Sequence, residues 1–205
     1  MATATSSREE RTTRRAGWLA AAALALLLVP PVLALVHRSH ARHGGSPAGF
    51  AWLRPATVPA GWRVATTPAG ATLAYPPGWR PIESDAGTVS AAPNGERGVF
   101  HGYLNATPLG GRETLANWSR FRPAHVADEG GHDVKVEAAA MGVRFRTGPG
   151  SCVIDSYATA RARFREIACI VAGARATTVV VATAPVSGWS LQAPVLERAV
   201  ASFGT

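Results

Sequence analysis

The chain has 205 residues, 47% of them hydrophobic and 17% charged, and carries a formal net charge of +8. That length accommodates one ordinary domain plus a targeting segment, and the composition excludes a disordered, solvating chain. The positive charge would suit a nucleic-acid binder, but residues 1–43 hold six arginines against Glu9 and Glu10, which leaves the rest of the chain at only +4, without a basic run or interleaved aromatics. No nucleic-acid partner is expected.

Residues 1–15 form a short basic tail, and Ala16 to Val36 read AGWLAAAALALLLVPPVLALV, 21 residues without a charge. At ~1.5 Å rise per residue such a run spans the ~30 Å hydrocarbon core, which predicts one transmembrane helix over 16–36. Arg8, Arg11, Arg14 and Arg15 precede it, against Arg38 and Arg42 beyond it. This bias keeps the N-terminus cytoplasmic and places the C-terminal domain outside the cell membrane. The competing reading is a cleaved signal peptide, because Ser39-His40-Ala41 distantly resembles a small-x-small cleavage pattern. The length of the apolar run and Trp18 at the interface favour a retained anchor. No cysteine directly follows the run, which excludes a bacterial lipoprotein. Pro30-Pro31 should bend the helix or open it locally. His37, His40 and His43 recur every three residues beyond it and could share a metal or titrate near neutral pH. Their simpler reading is a solvated linker over 37–49, continued by Gly44, Gly45, Ser46, Pro47 and Gly49.

Residues 50–205 alternate turn signals with short apolar runs, predicting an α+β domain with a mainly antiparallel sheet and two helices. Strands are expected at 62–66, 71–75, 87–92, 98–105, 134–140, 142–147, 152–159, 163–171 and 176–183. Glycine or proline at the junctions, as in Pro76-Pro77-Gly78 and Gly148-Pro149-Gly150, marks hairpins rather than crossovers. A first helix is expected within 112–128, where Leu115, Trp118 and Phe121 share a face, Gly130-Gly131 ends the run and Pro123 should break it. A second helix, started by Trp189, carries the stripe Leu196, Ala199, Val200 and Phe203 to the end of the chain.

A hairpin of 152–159 with 163–171 around Ala160-Arg161 places Cys152 opposite Cys169. In an exported domain that geometry favours a cross-strand disulfide; the alternative is a pair of buried thiols. The same register sets Asp155 opposite Glu166. A turn at Gly148 to Ser151 would in addition set Arg144 opposite Asp155, with Tyr157 and Phe164 flanking. The expectation is therefore an arginine-bridged carboxylate pair of Arg144, Asp155 and Glu166 beside Tyr157 on one sheet face. It could be a binding or acid–base site, since paired carboxylates shift each other's pKa, or simply an ion pair of the sheet face.

Other chemistries find less support. Ser151 and Ser156 have no histidine or acid at a hydrolase spacing, and no Gly-x-Ser-x-Gly elbow occurs. His125, His132 and Asp133 border a glycine turn, a weak metal signal. His101 alternates into a strand, and no phosphate-cradling loop is present. No cofactor is expected. Asn105-Ala-Thr and Asn117-Trp-Ser match the glycosylation acceptor, which has meaning only in a host that secretes through an endoplasmic reticulum.

The segments LAYPPGWRPI, GYLNATP, ETLANWSRFR, GSCVIDSYAT, RFREIACIV and LERAVASF are similar to actinobacterial membrane-anchored proteins of unassigned function. More distantly, the scheme resembles the Mog1/PsbP-like fold, with Pro77-Gly78-Trp79 as its turn after the first hairpin and Ser202-Phe203 as its end. The resemblance covers about the last three quarters of the chain. It implies an α/β/α sandwich around an antiparallel sheet, and it implies no reaction, since members of that fold serve as accessory or binding proteins for very different partners. The expected function is a membrane-tethered, non-enzymatic binding or accessory domain facing the cell envelope, with a protein, lipid or wall polymer as partner. The alternative is an envelope hydrolase or metal-dependent enzyme using Asp155 and Glu166. A third reading is a structural component of a multi-protein envelope machine.

Overall fold

The computed structural model describes residues 48–93 and 101–205. The basic tail, the helix expected over 16–36, the three histidines and the expected linker up to Pro47 lie outside the described residues. Among the described residues no helix is long and apolar enough to cross a membrane.

After a single 3-10 turn at Ala48–Phe50, the hairpin β1 (Arg63–Thr66) and β2 (Thr72–Tyr75) stands as its own two-stranded sheet. Then come β3 (Trp79–Ile82), β4 (Val89–Pro93), β5 (Tyr103–Pro108), α1 (Trp118–Asp128), β6 (His132–Phe145), β7 (Gly148–Ala158), β8 (Arg163–Ala172), β9 (Thr177–Pro185) and α2 (Trp189–Ala201). The main sheet has the order β3-β4-β5-β9-β8-β7-β6, antiparallel throughout. Two meanders meet at β5 and β9, so the connection through α1 is a crossover to the far edge rather than a hairpin.

The two faces of the sheet are covered unequally. On one, Leu104, Ile154, Ile167 and Val180 pack against Leu196, Val200 and Phe203 of the C-terminal segment and Leu73 of the small hairpin. Trp118 of α1 caps a smaller cluster of Val153, Ala168, Ile170, Val179 and Val181 on the other. Its indole Nε1 donates to the Ala168 carbonyl at 2.9 Å. Because α1 packs over β6, β7 and β8, the same face of β3, β4 and β5 has no helix above it among the described residues.

Several expectations needed correction. Pro123 lies inside α1 and does not end it. Trp118, Arg122 and Val126 are buried at four-residue spacing, and that docking outweighs the ~3 kcal/mol that an interior proline removes. The expected strands 134–140 and 142–147 are one strand, β6, with three register irregularities. Gly142, at φ 69°, sits at one of these bulges rather than in a turn. The turn falls instead at Arg146-Thr147, between the pair Phe145 and Gly148. Gly148-Pro149-Gly150 belongs to β7, and a Cβ at Gly150 would lie 2.7 Å from the Phe145 ring. These glycines serve close approach within a strand, which reads in sequence like a turn. β3 was not foreseen, and the strand expected at 98–105 lies at Tyr103–Pro108 among the described residues.

Candidate functional site

A polar row crosses the sheet beneath and beside α1. Tyr103 of β5 faces Thr183 of β9, Thr183 faces Glu166 of β8, and Glu166 faces Asp155 of β7. Apolar rows border it: Val181, Ala168 and Val153 on one side, Phe164 and Tyr157 on the other, the last two rings 5.7 Å apart. Asp155 and Glu166 are both 0% exposed. A buried carboxylate needs a counter-charge. Glu166 receives it from α1: Arg122 Nε donates to Oε1 at 2.6 Å and its second nitrogen to Oε2 at 2.9 Å, a fork that occupies both oxygens.

The register thus unites Cys152 with Cys169, which form a disulfide, and Asp155 with Glu166. It does not bring Arg144 to them. Arg144 is exposed and faces Pro149, and Val136 faces Asp155. The arginine of the cluster is Arg122, which the sequence reading missed. The available signal was its position four residues after Trp118 and four before Val126, on the buried helix face.

Among the described residues Asp155 has no hydrogen-bond partner on either carboxylate oxygen. Burial first, then the charges of Glu166 and Glu137, push its pKa up to about 7 against the opposing pull of Arg122. Tyr157 is raised to about 12, by burial and then by Glu166. Tyr103 is raised for the same two reasons. Both phenols therefore stay neutral at physiological pH. Tyr157 lies half-buried at the edge of this row.

Beside the sealed row, over the uncovered strands, lies an open groove of about 1160 Å³. Its floor is polar: Asn105 Nδ2 donates to Ser90 Oγ at 3.1 Å, and the hydroxyls of Thr88 and Thr107 are 2.9 Å apart. Asn105 Oδ1 is buried without a partner among the described residues. One wall is α1, where Trp118, Phe121 and His125 stack in sequence with centroids 6.0 and 5.6 Å apart. The opposite wall is the β3–β4 connection with Glu83 and Asp85. At one end Glu113 accepts hydrogen bonds from the Gly110 and Gly111 amides. Arg122 and Tyr103 line both the groove and the acid row, whereas Asp155 and Glu166 do not reach the groove.

Four of the remaining candidate residues are otherwise engaged. Ser151 Oγ donates to the Leu115 carbonyl at 2.7 Å, His125 lies 3.2 Å from Glu129, and Asp133 lies 3.5 Å from Arg163. Asn117 is held in the turn before α1, where its amide donates to the Arg112 carbonyl at 2.8 Å. Among the described residues no three or more His, Cys, Asp or Glu side chains are placed to hold a metal.

No protein-family model matches the chain, and no curated protein matches it in sequence. Solved structures do match. Cyanobacterial PsbP (CyanoP) from Synechocystis sp. PCC 6803 superposes with a TM-score of 0.50 at 12% identity, over 72% of this chain and 94% of that chain. PA94 from Pseudomonas aeruginosa, described as a protein of unknown function and putative regulator, gives a TM-score of 0.41 at 8% identity, over 70% and 96%. LpqN, involved in cell envelope biogenesis of Mycobacterium tuberculosis, gives 0.38 at 15% identity, over 66% and 87%. The sheet-dominated α+β domain therefore has a PsbP-like fold, and at these identities the likeness extends to the fold alone.

Proposed function

We propose that the chain is a membrane-tethered, non-enzymatic binding or accessory domain facing the cell envelope, and that its partner seats in the groove between α1 and β3–β5. The groove itself carries this reading: about 1160 Å³ of open space with a polar floor, an aromatic wall and an unpartnered amide oxygen at Asn105. The uncharged run at 16–36 supplies the tether, and the flanking arginines set its orientation. A hydrolase built on Asp155 and Glu166 gains no support. An acid catalyst must touch its substrate, yet both carboxylates are fully buried and the Arg122 fork occupies those of Glu166.

Chemical crosslinking of the intact chain in native membranes, followed by co-purification, tests the proposal. Ala124 is exposed on the groove side of α1, so Ala124→Trp fills the groove from a site that leaves the core untouched. The wild type and the remote variant Ala160→Trp should recover the same partner, and Ala124→Trp should lose it. Recovery of that partner by all three chains would exclude the groove, and recovery of bulk lipid alone by the wild type would exclude a specific partner.

A further inference from the structure

We propose that the occupant of this groove is an extended, arginine- or lysine-bearing peptide segment of a partner protein. The inference rests on the groove being the binding surface and adds the chemistry of what fills it. The described residues carry fourteen arginines and lysines against ten aspartates and glutamates, so acidic side chains are in the minority. Yet five of those ten, Glu83, Asp85, Glu113, Asp128 and Glu129, line the groove, against only Arg112 and Arg122 of the fourteen. Arg122 is already committed to Glu166. A cationic domain has gathered half its carboxylates into one concavity, and the field there is negative.

The charges are spread for an extended ligand. Glu83 and Asp85 stand on the β3–β4 side, while Asp128 and Glu129 stand at the C-terminus of α1 across a floor made by β4, β5 and β9. Because no three of these groups converge as metal ligands among the described residues, a bare divalent cation is a poor match. A ligand with several positive charges spaced along its length meets both lips at once.

The uncharged groups of the groove accommodate such a ligand. Asn105 Oδ1 is a buried acceptor without a donor among the described residues, and it can accept an N–H or an O–H. The half-buried ring of His125, at the end of that stack, offers a face on which an arginine can stack. A neutral glycan would use the floor and the rings, but it gives no reason for the acidic lips.

Fluorescence anisotropy of a fluorescein-labelled hexa-arginine peptide on the purified full chain in neutral detergent tests the proposal. The chain carries a net charge of +8, so non-specific attraction works against the probe and binding must come from a local negative surface. Hexa-arginine should bind, and the uncharged hexa-citrulline peptide should bind about tenfold or more weakly. The pairs Glu83→Gln with Asp85→Asn and Asp128→Asn with Glu129→Gln should each weaken hexa-arginine by about tenfold at low salt. The pair Asp133→Asn with Glu137→Gln, which removes the same charge elsewhere, should change it less than about twofold. Equal binding of hexa-citrulline, an equal loss in the control pair, or a neutral oligosaccharide that binds the groove while hexa-arginine does not would each overturn a cationic occupant. The groove reading fails separately, through Ala124→Trp in native membranes.

Discussion

Asp155 permits a quantitative prediction, because Asp155→Asn changes its charge and almost nothing of its shape. In the folded chain its pKa is raised to about 7 from an ordinary 3.8, by burial first and then by Glu166. The folded state therefore holds this proton more tightly than the unfolded state. The resulting stability is fully present below about pH 4 and is lost as pH rises through about 7. Roughly three pKa units at ~1.4 kcal/mol each give about 4 kcal/mol as the upper size of the effect. The cause is geometric, since ionised Asp155 would face Glu166 across one rung with no donor on either of its oxygens.

Asparagine carries no charge, and its amide can donate toward Glu166. In urea unfolding of the full chain in neutral detergent, followed by tryptophan fluorescence, variant and wild type should differ little at pH 4.5. At pH 8.5 the variant should be more stable by up to roughly 4 kcal/mol. A difference that does not change with pH would refute the reasoning, and so would a variant that is less stable at pH 8.5, because that would mean Asp155 is ionised and held by a donor.

Three further outcomes follow from the same structure. Arg122→Met leaves Glu166 buried without its counter-charge and should destabilise by about 3–5 kcal/mol, most of it restored by Glu166→Leu in the same chain, as read by paired denaturant titrations. Replacing Cys152 and Cys169 together with alanine opens a loop of 17 residues and should remove about 3 kcal/mol, and reductant should lower the melting temperature of the wild type only. Gly102 adopts φ 127°, and a Cβ there would lie 2.5 Å from the Thr183 carbonyl, so Gly102→Ala should destabilise by more than about 1 kcal/mol in thermal melts.

What could be read in the sequence depended on whether a contact was local. The β7–β8 hairpin closes over a short loop without bulges, so counting outward from Ala160-Arg161 reached both Cys152–Cys169 and Asp155–Glu166. The same counting failed for β6 and β7, because the turn falls at Arg146-Thr147 and Gly148 to Ser151 belong to β7, which moves Arg144 from Asp155 to Pro149; the three register irregularities lie farther from the turn and shift the rest of β6. Arg122 reaches its acid across 44 residues of chain, through a helix whose docking position no local pattern contains. The groove is further from sequence still. It exists because the crossover lays α1 over β6–β8 and leaves the β3–β5 face open.

The sealed acid row and the open groove are two consequences of that one placement. Arg122 belongs to both, since its side chain lines the groove and its fork closes on Glu166. An interior proline and the proline-disfavoured conformation of Arg122 itself both work against α1, so its own backbone is a weak source of rigidity. The helix stays in place because Trp118, Arg122 and Val126 are buried beneath it. Exposing Glu166 to a substrate would mean lifting that face and breaking the fork, which would remove the wall that defines the groove. Acid catalysis at the pair and binding in the groove thus make opposite demands on α1. In the closed geometry Glu166 is bidentate, the acid pair is sealed and the groove is open.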